Sequence, residues 1–166
     1  MKKYFIITIL FLFKFETSYS LIEIDITRGN LDPLPIAVSP LHVDPKSEKN
    51  NETEIKELGS NISEIIEKNF RGTGLFNPIK KDAFVQRPDI AHLKPRFEDW
   101  RLIKAQALVT GKLLLVNGKL KVEFRLWDLT ASKEMIALAF TTTPSNWRRV
   151  AHIISDKIYE RLTGEN

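Results

Sequence analysis

Residues 107–142 carry the pattern that most constrains the fold of this 166-residue chain. In the middle of this stretch apolar and charged side chains alternate with period two, which places them on opposite faces of a strand. Asn117 and Gly118 precede the alternating run, and both tolerate the positive φ of a type I′ hairpin turn. The sequence therefore predicts a meander of three antiparallel strands, over residues 107–116, 119–129 and 133–142.

Two long amphipathic helices are predicted from apolar residues that recur at three- and four-residue steps. The first covers residues 52–69 and ends at Gly72 and Gly74, and the second begins at a Ser145 or Asn146 cap. Each helix can bury its apolar stripe by packing against a sheet. The predicted fold class is therefore α+β, a two-layer sandwich of a mixed, largely antiparallel sheet with helices on one face.

The first twenty residues have the pattern of an export signal. Lys2 and Lys3 precede an apolar run, and the small-x-small site Ser18-Tyr19-Ser20 follows it, so cleavage leaves Leu21 as the mature N-terminus. The alternative is a retained membrane anchor, but the run is about half of the ~20 apolar residues that a span needs. We expect export to the periplasm, removal of residues 1–20, and no stable membrane insertion afterwards.

Charge and cysteine content narrow the class of protein. Removal of residues 1–20 turns 25 basic and 21 acidic side chains into 22 and 20, so the net charge falls from +4 to +2. This small excess argues little for a nucleic-acid partner. The chain has no cysteine, which excludes a disulfide framework and a lipid-modified cysteine.

The mature N-terminus is the segment best suited to binding. Isoleucines alternate with polar residues there, which predicts a half-buried strand that is broken by the turn at residues 28–33. The positions concerned are Ile22, Glu23, Ile24, Asp25 and Ile26. A short terminal strand frays cheaply and can be captured by another polypeptide, with the isoleucines as apolar contacts. An ordinary strand of the domain sheet is the alternative.

No set of residues predicts catalysis, a metal or a cofactor. His42, His92 and His152 are separated by about fifty residues each and are expected to be solvated or packing residues. Glu98 and Asp99 are neighbours that point about 100° apart on a helix, where acidic charge in a first turn favours the helix dipole.

Two tryptophans could be interpreted as a base-stacking platform. Trp127 and Trp147 lie near Arg125, Arg148 and Arg149, which suggests a nucleic-acid or nucleotide-binding domain as an alternative function. We favour core aromatics beside a charged face, because Trp147 lies on the apolar stripe of the last helix. A small exported hydrolase is a third hypothesis, which lacks an assembled set of catalytic residues.

The chain resembles the N-terminal domain of the TolB family of the Tol-Pal envelope system. The resemblance rests on the strand at 119–128, on Pro144-Ser145-Asn146-Trp147, on the closing Leu162-Thr163-Gly164, and on Gly74-Leu75-Phe76-Asn77-Pro78-Ile79. It implies a topology like that of anticodon-binding domains, over residues 21–164. The family's six-bladed propeller begins just after Leu-Thr-Gly, whereas only Glu165 and Asn166 follow here. The resemblance thus implies a truncated member without the propeller, from a split or decayed gene or an incomplete record.

The same resemblance implies a noncatalytic periplasmic interaction module that supports outer-membrane integrity, cell division, the cell cycle and protein import. In the family the mature N-terminal segment contacts the inner-membrane protein TolA and can be released or held against the body. Ile22, Glu23, Ile24, Asp25 and Ile26 match that segment in place and pattern. The family's contact with the lipoprotein Pal lies chiefly on the propeller, so Pal binding is not expected of the truncated member. An interaction module of this kind is expected to need no cofactor and to bind no nucleic acid.

Overall fold

The predicted meander is confirmed and supplies the three long strands of the sheet. The computed structural model describes residues 21–26, 32–48 and 52–165. Its three long strands are β4 (Ala107–Val116), β5 (Lys119–Asp128) and β6 (Lys133–Thr142), and both β4/β5 and β5/β6 pair antiparallel. Asn117 and Gly118 have φ values of 52° and 68°. These positive angles confirm the predicted hairpin turn, because a type I′ turn requires both.

Three short parallel strands complete the sheet. They are β1 (Leu34–Val38), β2 (His42–Val43) and β3 (Phe76–Pro78), and the sheet order is β3-β1-β4-β5-β6 with β2 also paired to β4. Pro35 is the second residue of β1, which lies inside the sheet between β3 and β4. The ladder to β4 starts only at Ile36, so the missing amide proton of Pro35 removes no bond from it.

The two predicted long helices are confirmed, with differences at their ends. They are α1 (Glu52–Thr73) and α4 (Trp147–Thr163). α1 continues past Gly72 and stops at Gly74, which has a φ of 70°. The predicted side-chain cap of α4 is wrong, because Asn146 makes no capping hydrogen bond and a 3₁₀ turn at Pro144–Asn146 leads into the helix instead.

The main core lies between these helices and one face of the sheet. Alternate residues of β5, including Val122, Phe124 and Leu126, are buried there against Ile62 and Ile154 of the helices. The burial follows the period-two pattern of the strand, since their charged neighbours point to the other face. The predicted α+β class, with a mixed sheet and the long helices on one face, is confirmed.

A second apolar cluster, which the sequence did not predict, covers one end of the opposite face. It is formed by Leu108, Trp127 and residues of two short helices, α2 (Pro88–Ala91) and α3 (Phe97–Leu102). Buried Gln86 organises this region, because its Oε1 accepts hydrogen bonds from the Arg96 backbone N–H at 3.0 Å and the Trp100 indole at 2.9 Å. The connection over residues 77–96 is therefore partly packed against the body of the domain.

Candidate partner-binding segment

The segment of residues 21–26 lies against the C-terminal end of α4. The backbone N–H of Ile24 donates to the carbonyl of Leu162 at 2.6 Å. The last carbonyls of a helix have no partner within the helix, so a neighbouring chain segment can satisfy them. Gly164, with a φ of 72°, ends α4 two residues later, and the Glu23 carboxylate lies beside it. The turn at the end of α4 is therefore part of the site that receives the segment.

A buried carboxylate provides the second anchor. The Ile22 N–H donates to Asp128 Oδ2 at 2.9 Å, and Asp128, the last residue of β5, is 0% exposed. Its other oxygen accepts from the Ala131 N–H at 2.8 Å in the turn between β5 and β6. Hydrogen bonds to a charged acceptor are stronger than neutral ones. Asp128 thus joins the N-terminal segment to the hairpin.

Sequence reasoning missed Asp128 as part of this site. An aspartate followed by a turn is typical of an Asx turn, and its bond to Ala131 fits that signal. The partner Ile22 is 106 residues away in the chain, and no local pattern indicates such a contact. The long-range half of its role therefore depends on the tertiary structure.

The predicted strand at residues 22–26 is wrong, although the predicted alternation of burial is present. The described segment 21–26 has no strand assignment, while Ile22, Ile24 and Ile26 are half-buried and Glu23 and Asp25 are exposed. The backbone runs against a helix end and a side chain rather than a strand, so no ladder forms. Leu21 is half-buried, and Ser18, Ser20, Thr27 and most of the turn at 28–33 lie outside the described residues.

A surface cleft of about 530 Å³ borders the docked segment. It is lined by Glu23, Ile136, Lys157, Glu160, Arg161 and Gly164. Lys157 forms an ion pair with Glu160 at 2.6 Å. Arg161 lies in the last turn of α4, where the helix dipole favours a cation.

The structure brings together two histidines that the sequence analysis treated as isolated. The rings of His42 and His92 stack with centroids 4.5 Å apart and an interplanar angle of 17°. Burial, followed by the neighbouring His92, lowers the pKa of His42 below its ordinary value of 6.5. His152 lies apart, with its Nδ1 3.0 Å from the Asn69 amide. Within the described parts of the chain, no three His, Asp or Glu side chains are grouped to hold a metal ion.

The acidic neighbours Glu98 and Asp99 have arginine partners. Glu98 pairs with Arg101, and Asp99 pairs with Arg96 at 2.6 Å. These ion pairs lie on α3 at the surface of the second cluster, as expected for charge on a short helix. The arrangement gives the two carboxylates no shared substrate position.

The two tryptophans are core residues, which confirms the structural interpretation over a stacking platform. Trp127 is 6% exposed and belongs to the second cluster, whereas Trp147 is 8% exposed and belongs to the main core. The Trp127 indole N–H donates to Thr110 Oγ1 at 2.9 Å, and Arg148 lies 4.2 Å from the Trp147 ring. They belong to cores on opposite faces of the sheet, so they cannot stack successive bases.

Fold and site together define an α+β domain that holds an extended N-terminal segment against its last helix. Residues 22–135 match the family model of the TolB amino-terminal domain, and the chain belongs to that family. It is 67% identical over 150 residues to the Tol-Pal system protein TolB of Pelagibacter ubique strain HTCC1062. That match covers 89% of this chain but 34% of the relative, so the chain spans about a third of the length of the curated relative.

Solved structures show the same fold at low identity. The crystal structure of TolB from Acinetobacter baumannii is 20% identical with a TM-score of 0.63, and the match covers 80% of this chain and 29% of that one. The hypothetical protein CT253 from Chlamydia trachomatis is 15% identical with a TM-score of 0.53, over 78% of this chain and 98% of that one. Among the described residues, no helix is both long and apolar enough to cross a membrane.

Proposed function

We propose that this chain is a noncatalytic periplasmic interaction domain of the Tol-Pal envelope system, and that a partner captures its mature N-terminal segment. The proposed partner is a TolA-like inner-membrane protein, and the proposed contacts are Ile22, Glu23, Ile24, Asp25 and Ile26. The observation that carries the proposal is the way the segment is held. Its backbone is anchored at Ile22 and Ile24 by a side chain and a helix end rather than by a strand ladder.

Release of such a segment costs little. Each of the two hydrogen bonds contributes about 0.5–3 kcal/mol, and the isoleucines are only half-buried. A partner's sheet edge could accept the same backbone donors, since an extended peptide adds to a sheet through main-chain hydrogen bonds. Exposed Glu23 and Asp25 would then steer the segment toward a basic partner. Capture by a partner would therefore replace the hydrogen bonds of the docked segment with others of the same kind.

The family assignment supports the cellular part of the proposal. The relative from Pelagibacter ubique is a Tol-Pal system protein, and the first twenty residues have the pattern of an export signal. We propose removal of residues 1–20 between Ser20 and Leu21, a domain over residues 21–164, and support of outer-membrane integrity, cell division and protein import through partners.

The test is a calorimetric titration of the protein lacking residues 1–20 with the periplasmic domain of a TolA-like protein. Deletion of residues 21–26 should abolish binding, and Ile24→Ser should weaken it. Ile90→Ser is the matched control, because Ile90 is 44% exposed on α2 and lies outside the segment. Thermal unfolding followed by circular dichroism establishes that each variant is folded. Equal binding by the folded deletion variant would overturn the proposal.

A further inference from the structure

The stacked histidine pair joins two short elements of the fold. His42 is the first residue of the two-residue strand β2, and His92 follows the last residue of the four-residue helix α2. On its other side α2 is fixed by Ala91, which is 0% exposed in the second cluster. The ring stack therefore forms a second attachment of α2, directed toward β2.

Hydrogen bonding fixes the form of the His92 ring. Its Nδ1 lies 3.1 Å from the carbonyl oxygen of Pro88. Because a carbonyl only accepts, Nδ1 must carry the proton in the neutral ring, and a second proton adds at Nε2. Protonation of either ring places a cation against the face of the other, and protonation of both puts two like charges in contact. The stack is therefore weakest when both rings are protonated.

Carboxylates near the pair already have cationic partners. Asp44, just after β2, pairs with Lys112 of β4 at 3.0 Å, and Lys112 also lies 3.6 Å from Glu123 of β5. Asp89 of α2 pairs with Arg87 at 2.6 Å. The remaining charged groups that line the adjoining clefts are Lys56 of α1 and Arg125 of β5. An added charge on the rings therefore meets cations as well as occupied carboxylates.

The carboxylates beside the pair, Asp44 and Asp89, do not titrate between pH 5 and 8. A hydrogen bond from the Lys46 N–H, followed by one from Lys112, lowers the pKa of Asp44 below its ordinary value. A hydrogen bond from Arg87 lowers the pKa of Asp89 in the same way. Both carboxylates therefore stay ionised across this range, and a pH response there belongs to the rings.

We propose that the His42–His92 stack is a pH-sensitive joint, which fastens α2 to β2 when both rings are neutral and lets residues 87–93 loosen when they are protonated. Loosening would open the groove between α1, β2 and α2, which is about 480 Å³ and includes Pro40, His42, Ser60 and Pro88 in its walls. The joint does not depend on whether residues 21–26 bind a partner.

The direction of the pH effect follows from the linkage between ring protonation and closure of the stack. The pKa of His42 is lowered when the stack is closed, so the open state binds protons more strongly. The free energy that favours the closed stack is therefore fully present above about pH 6.5. It decreases as the pH falls from there toward the lowered pKa of His42, and it is constant below that pKa. Each linked proton changes the opening equilibrium by at most about tenfold per pH unit.

Amide hydrogen exchange by NMR at pH 7.5, 6.5 and 5.5 tests the joint, after correction for intrinsic exchange. Protection of the Ile90, His92 and Leu93 amides should fall as the pH is lowered, by up to about tenfold per unit for one proton. The double variant His42→Phe, His92→Phe keeps an aromatic stack without titration, so its protection should be constant with pH. His152→Asn should respond like the unmodified protein.

Two outcomes overturn the joint. They are constant protection in the unmodified protein, and a pH response that persists in the double phenylalanine variant. If that variant does not fold, the ring resonances of the unmodified protein decide. His42 and His92 should then titrate as a coupled pair with two-step curves, whereas independent single-step curves would exclude the joint.

Discussion

Replacement of Asp128 by alanine should release the N-terminal segment and strengthen partner binding. The substitution removes the buried acceptor of the Ile22 N–H, which lies 2.9 Å from Oδ2. A hydrogen bond to a charged group contributes about 1.5–3 kcal/mol. Since about 1.4 kcal/mol is a factor of ten, the population with a released segment should rise about ten- to hundredfold. Partner affinity should rise by the same factor until the released form dominates.

Amide hydrogen exchange measures the release of the segment, and calorimetry measures the affinity for the partner. The amides of Ile22 and Ile24 should exchange faster together, because both leave the body when the segment lifts. Asp128→Asn should have a smaller effect, since an amide side chain keeps one oxygen acceptor. Asp128→Ala also removes a hydrogen bond of the turn between β5 and β6, because Asp128 accepts one there from the Ala131 N–H. Part of the stability that this variant loses therefore comes from the turn.

Asp44→Ala is the matched control. Asp44 also accepts a backbone N–H, from Lys46 at 3.0 Å, but it lies beyond β2. Its removal should leave partner affinity and the Ile22 and Ile24 amides unchanged. Unchanged exchange at Ile22 and Ile24 in Asp128→Ala, or weaker partner binding by a folded Asp128→Ala protein, would refute the reasoning.

Two further predictions concern the fold and are measured by denaturant unfolding. Gly111→Ala should lower the free energy of unfolding by about 1–3 kcal/mol or more, because the new Cβ would lie 2.3 Å from the Glu123 carbonyl oxygen. Gly72→Ala, whose new Cβ would have nothing within 4 Å, should leave that free energy unchanged or raise it. Equal stability of the two variants would contradict this packing. Phe124→Ala should cost about 3–5 kcal/mol, because Phe124 is 1% exposed in the main core, and Val116→Ala, at a site 40% exposed, should cost much less. A small loss for Phe124→Ala would place that residue outside the core.

Patterns that repeat along the chain predicted the parts of the fold that depend on neighbouring residues. The alternation in β5 and the pair Asn117-Gly118 predicted the hairpin, because side-chain direction and turn geometry are local properties. Resemblance at the closing Leu162-Thr163-Gly164 indicated the family, which the match to the TolB amino-terminal domain confirms. The contact of residues 22–26 with TolA stays a prediction.

The sequence by itself determined which faces of the strands and long helices are buried, and where the main turns fall, because burial period and backbone preference are encoded within a few residues. Only the tertiary structure decided that Asp128 meets Ile22 across 106 residues, that His42 stacks on His92, and that Trp127 joins a second cluster. These contacts depend on which strands become neighbours in the sheet. The residues that flank a position in the sequence do not indicate which distant residue will contact it in the folded protein.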